Sequence, residues 1–199
     1  MTIWLSMLIG LVIGDSWPGF LGAGADIKTT NSLPLKWSPT EGVAWNVPLA
    51  GHGQSSPVIW NDRIFVSAVD GPKKETYQVT AFGLSDGKEL WKVSLPSTDP
   101  VENSVYVSRA APTPVVDKDR VIVFFESGDL ISLDHSGKEI WKRSLSQDYG
   151  KFKNKFGLSG SPVQTSDYVF ILIDDEGPKT LLFHWETCVF RNALNACTS

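Results

Sequence analysis

The chain has 199 residues, 42% of them hydrophobic, and a formal net charge of −4. The charges are scattered with no basic stripe, which excludes a nucleic-acid partner. The only two cysteines, Cys188 and Cys197, sit at the far end, which excludes a disulfide framework or zinc-ligand spacing in the body of the chain.

The chain opens on an apolar run, Ile3–Ile13, too short to span a bilayer and of the length of a signal-peptide core. Small residues follow at Gly14 and Ser16, so residues 1–16 are expected to be a signal peptide and the protein to be periplasmic or secreted, with no membrane span. No cysteine lies near the cleavage region to carry a lipid anchor. The next landmark is Val43–Leu49 ("VAWNVPL"), which reads as a closing strand around Trp45.

A full unit follows. Pro57–Trp60 reads as a short first strand and Asn61-Asp62 as a hairpin turn that tolerates positive φ. Arg63–Val69 is the second strand, Tyr77–Phe82 the third, and Asp86-Gly87 turns into "ELWKVSL", Glu89–Leu95. The same order returns with Pro114–Val116, Val121–Phe125, Leu130–Leu133 and "EIWKRSL", Glu139–Leu145. "GKELWKVSL" and "GKEIWKRSL" differ only at Leu90/Ile140 and Val93/Arg143. A third unit starts at Pro162, places its second strand at Tyr168–Ile173, and then loses the Gly-to-Trp signature.

Trp45, Trp91 and Trp141 are 46 and 50 residues apart, and each new unit is announced by Ser/Thr-Pro-Val at Ser56, Thr113 and Ser161. A period near 50 built from short strands predicts propeller blades rather than a helical solenoid. Proline at the start of the first strand misses no ladder donor. The predicted fold is all-β: a partial β-propeller of four-stranded antiparallel blades, about two and a half of them, plus an orphan closing strand at Trp45. Gly87 and Gly137 are placed where a tight turn needs positive φ. The repeated tryptophans are read as packing across blade junctions.

With those residues in hand, the chain resembles the pyrroloquinoline quinone-type β-propeller repeat family. That family's tryptophan-docking motif runs Ala-x-Asp-x-x-Thr-Gly-x-x-x-Trp. Ala81, Gly87 and Trp91 match it in register, with Gly83 and Asp86 in place of its Asp and Thr. In the second copy Asp134, Gly137 and Trp141 match, with a turn one residue shorter. The opening "WPGFLGAG" and the run from Val43 to Ser67 resemble exported members from planctomycete-type bacteria. The resemblance covers residues 17–182, which are expected to form the propeller domain, and it implies seven or eight blades in intact members. Residues 183–199 hold no such signature but both cysteines, and are expected to be an aberrant tail, the product of a frameshift or early termination.

The connections Ala50–Ser56, Pro96–Thr113 and Ser146–Ser161 are expected to end beside the propeller axis, and the last two exceed a dozen residues. His52, Gln54, Arg109 and Lys155 are the candidates for the channel mouth, where quinone-binding relatives hold their cofactor. Catalytic relatives use an Asp base, calcium and often adjacent cysteines. Glu102-Asn103 and Asp174-Asp175-Glu176 offer oxygen ligands without specific spacing, and His135 and His184 are read as incidental. We therefore expect an exported, non-enzymatic binding or scaffold module that takes a protein or small-molecule ligand and no cofactor, pyrroloquinoline quinone being implied only for intact relatives. The alternatives are a fragment of a quinone-dependent dehydrogenase and a propeller of outer-membrane β-barrel assembly.

Overall fold

A computed structural model describes residues 16–22, 36, 38, 41–100, 107–152, 157–174, 178–184 and 190–192. The first unit folds as β1 (Val58–Trp60), β2 (Arg63–Asp70), β3 (Thr76–Gly83) and β4 (Glu89–Pro96). The second supplies β5 (Val115–Val116), β6 (Arg120–Phe124), β7 (Asp129–Asp134) and β8 (Glu139–Ser144). A short helix, α1 (Leu145–Tyr149), precedes β9 (Val163–Gln164), β10 (Tyr168–Asp174), β11 (Pro178–His184) and β12 (Phe190–Asn192). Each set of four strands forms its own antiparallel meander, so the chain is all-β with three four-stranded sheets and no closed sheet among the described residues.

These sheets are propeller blades, and the repeat reaches details the pattern did not specify. Both β3–β4 and β7–β8 carry a bulge at the same place, between Ala81 and Phe82 and between Ser132 and Leu133. The residue skipped is Leu90 in one ladder and Ile140 in the other, and both lie exposed. The bulge sets Trp91 opposite Ala81 and Trp141 opposite Ser132.

The middle sheet is covered on both faces, and strand alternation divides its side chains between two cores. Val121, Val123, Phe125, Ile131 and Leu133 pack toward the first sheet with Phe65, Tyr77 and Val79. Ile122, Phe124 and Leu130 pack toward the third sheet with Val169, Ile171 and Ile173. This is why β6 and β7 read as near-continuous apolar runs.

Val43–Leu49 pairs with no strand among the described residues, as expected of an orphan segment. Two other expectations meet a different arrangement. The third sheet has four strands rather than a partial set: β11 runs through residue 182, pairing Phe183 with Val169, and β12 lies beyond that boundary. Ladder formation needs backbone partners, not the Gly-to-Trp signature on which the boundary rested. The connection after β8 begins as α1, whose buried Leu145 joins the second core, where a loop was expected. Residues 1–15 lie outside the described residues.

The landmark Ser/Thr-Pro-Val acquires a physical reason. The Ser56 N–H donates to Thr113 Oγ1 at 3.0 Å, and the Thr113 N–H donates to Ser161 Oγ at 3.0 Å. The Thr113 and Ser161 hydroxyls thus each receive the backbone N–H of the preceding landmark and stitch neighbouring sheets beside their first strands. A hydroxyl is needed there; an aliphatic residue would leave that N–H without its acceptor.

Candidate functional site: the inner edge and its polar junction

The repeated tryptophans sit at the sheet junctions. Trp91 Nε1 donates to the His135 carbonyl at 2.9 Å, and its ring lies on Gly137, where an added Cβ would stand 2.8 Å away. Trp45 repeats this one sheet earlier, donating to the Leu84 carbonyl at 2.9 Å and covering Gly87, where a Cβ would stand 2.5 Å away. Both glycines have positive φ, 68° and 87°, so conformation and ring contact each exclude a side chain. Trp141 packs against the core between the second and third sheets. His135 is structural: its ring nitrogen Nε2 lies 2.8 Å from the Asp117 carbonyl and its ring is edge-on to Phe65.

The first strands, β1, β5 and β9, line the inner edge, and a groove of about 830 Å³ runs along it. Its walls include Gln54, Thr113, Ser161 and Gln164, with Pro18, Phe20, Leu21 and Val163 supplying apolar surface. Gln54 thus lines this groove. His52 is exposed and instead continues the ladder beside β2, exchanging backbone hydrogen bonds of 2.7 Å with Val69. Arg109 is not among the groove's lining residues. It is 8% exposed, sits at φ 69°, and turns its guanidinium to Asp99, whose backbone carbonyl accepts from Nη2 and whose carboxylate lies 3.7 Å away. Lys151 meets the other oxygen of Asp99 at 2.8 Å. Lys155, Glu102-Asn103 and Asp175-Glu176 lie outside the described residues, as does the side chain of His184.

Two buried polar clusters went unseen in the sequence. Asp129, in the turn entering β7, accepts from Tyr77 Oη at 2.6 Å, Ser127 Oγ at 2.9 Å, the Thr98 N–H at 3.0 Å and Thr98 Oγ1 at 2.7 Å. Burial first, and then the Asp129 charge, push the Tyr77 phenol well above its ordinary range, so it stays a donor. Nearby, Glu126 accepts from Ser108 Oγ at 3.2 Å and the Ala111 N–H at 3.1 Å, while its other oxygen packs on Gly157. It thus joins the β6–β7 turn to both long connections. No spacing rule signals either cluster, since each draws in residues 15 to 52 positions away.

Burial raises the Glu126 carboxyl above its ordinary value, outweighing its hydrogen bonds and the Arg109 charge. A raised folded-state value stabilises the fold below the ordinary glutamate range near 4.5, and that contribution is lost as pH rises through the folded value. Glu126→Gln keeps an acceptor for Ser108 and Ala111 and cannot ionise. Its stability relative to wild type is expected to improve as pH rises from about 4.5 through the folded value and then to level off, as read by urea denaturation. Parallel pH profiles for the two proteins would remove Glu126 as the cause.

The fold family raises the question of a quinone cofactor. Pyrroloquinoline quinone carries several carboxylates, and the groove's described lining offers it neutral amides and hydroxyls with no Lys or Arg. No group of three or more His, Cys, Asp or Glu side chains converges on a metal position among the described residues. The described residues lining this groove do not supply the positive charge that would fit that cofactor.

A family model described as outer membrane protein assembly factor BamB matches residues 34–183. No curated protein matches the chain in sequence. The quinohemoprotein alcohol dehydrogenase from Comamonas testosteroni is 20% identical, with a TM-score of 0.53 over 75% of this chain and 22% of its own. A europium-containing methanol dehydrogenase is 18% identical, with a TM-score of 0.53 over 74% of this chain and 26% of its own. BamB from Moraxella catarrhalis is 16% identical, with a TM-score of 0.49 over 74% of this chain and 38% of its own. At these identities the likeness is one of fold, and the chain spans well under half the length of each.

Proposed function

Because the chain belongs to the family described as outer membrane protein assembly factor BamB, we propose that it acts as a non-enzymatic propeller module that binds a protein partner, exported to the periplasm or beyond. The observation that carries this reading is the family match across most of the propeller region. The chemistry of the inner groove supports it, because neutral amides, hydroxyls and exposed apolar side chains suit a polypeptide better than an anionic cofactor. No helix among the described residues is long and apolar enough to cross a membrane. The apolar run at Ile3–Ile13 supports export as a signal peptide.

Titration calorimetry with pyrroloquinoline quinone and calcium tests the non-enzymatic part. The expected result is no saturable heat in the micromolar range. One-to-one binding at micromolar affinity would return the dehydrogenase reading.

A further inference from the structure

The three inner strands carry equivalent backbone rungs, and two of them are filled. In an antiparallel ladder, residues alternate between bonding their partner strand and pointing away from it. Ile59 points away from β2, and its N–H and C=O are both taken by Trp17 at 2.9 Å. Asp117 bonds Arg120, so the preceding Val116 points inward, and its N–H donates to the Pro18 carbonyl at 2.9 Å. Gln164 Nε2 donates to the Val116 carbonyl at 2.7 Å, completing the second rung.

The third rung is Gln164. The Thr165 N–H donates to the Tyr168 carbonyl at 2.8 Å, so by the same alternation Gln164 turns its backbone N–H and C=O away from β10. Outside the strand ladders, no backbone group of a described residue bonds to either. Its side-chain Oε1 is likewise buried without a partner. The rung opens on the groove, where Phe20, Leu21 and Val163 are 55%, 68% and 64% exposed. The seat is continuous with the interface that Trp17 and Pro18 already make, and those two residues show what fits it: extended backbone.

We infer that Gln164 and the adjoining groove form a binding site for an extended peptide segment of a partner protein. The segment adds its backbone beside β9, exchanging hydrogen bonds with the Gln164 N–H and C=O. It sets an apolar side chain against Phe20, Leu21 and Val163. Main-chain pairing gives affinity and the apolar contact gives preference, the division usual when a strand is added to a sheet edge. This rests on the reading of a protein-binding module and names the chemistry of its partner.

The test uses the full chain and a fluorescein-labelled, end-capped hexapeptide of alternating valine and threonine, followed by anisotropy. Saturable binding by wild type is expected. Gln164→Ala keeps the backbone N–H and serves as the reference, because it loses the same side chain as the proline variant. Gln164→Pro removes that N–H, which the β9–β10 ladder does not use, and is expected to weaken binding about tenfold or more relative to Gln164→Ala. Should the proline variant fail to fold, amide hydrogen exchange in wild type decides: saturating peptide slows the Gln164 amide. No saturable binding, equal affinity of the two variants, or an unchanged Gln164 amide would overturn the site. Cofactor calorimetry is independent of all three, so failure here leaves the non-enzymatic reading standing, and failure there leaves the peptide site standing.

Discussion

Trp91→Ala is expected to lower stability by about 3–5 kcal/mol, the usual cost of truncating a large packed aromatic. The substitution removes more than area. The ring fills the space over Gly137, tilts against Phe65 with centroids 5.9 Å apart, and carries the 2.9 Å hydrogen bond to the His135 carbonyl. All three contacts reach from one sheet to the next or into the core between them. Trp60→Ala is the comparison. Trp60 packs against the same core from the end of β1, but it has no equivalent in the other units. Its loss is expected to cost clearly less in guanidinium denaturation. Equal midpoint shifts for the two variants would remove the special standing of the Trp91 position.

Asp129→Ala is expected to be comparably severe, about 3–5 kcal/mol, because it takes this buried acceptor from the buried Tyr77 and Ser127 hydroxyls and unties the exposed Thr98 from the core. Tyr77, Ser127 and Thr98 all converge on this carboxylate, which is 4% exposed. Tyr77 has no room to turn away, since its ring is stacked on Phe125 with centroids 3.9 Å apart. Asp129→Asn keeps one carbonyl oxygen and is expected to recover part of the loss. The same denaturation series measures both. A loss under about 1 kcal/mol for Asp129→Ala would mean that water serves these donors equally well.

How legible was this molecule in its sequence? Where a repeated feature rests on residue type, the sequence displays it; the repeated bulge, a backbone feature, it does not. Trp91 and Gly137 are visible as a pair because Trp45 and Gly87 write the same relation one unit earlier. The landmark at Ser56, Thr113 and Ser161 was equally visible, although the hydrogen bond that explains its hydroxyl appears only in three dimensions. Features that occur once left no such trace. Asp129 and Glu126 look like ordinary turn acids, and only the fold reveals that they are buried and surrounded by donors. Arg109 was chosen as a polar loop residue near the axis, but its positive φ and its Asp99 partner, set by the tertiary path of the chain, turn it to a structural contact. Gln164 drew no attention because its importance lies in a backbone direction, which residue type does not encode.

The meander order of the three sheets bears on how the chain acquires its structure during synthesis. Among the described strands every ladder joins neighbours in sequence, so each sheet forms by local pairing, the condition for fast closure. The first sheet has its last strand by Pro96, and the inner-edge segment at Trp17 and Pro18 emerges before any strand it will bridge. A chain that emerges amino end first can therefore complete one sheet and offer its apolar face to the next as that one follows. Growth from the amino end, with each finished sheet templating its successor, follows from this connectivity.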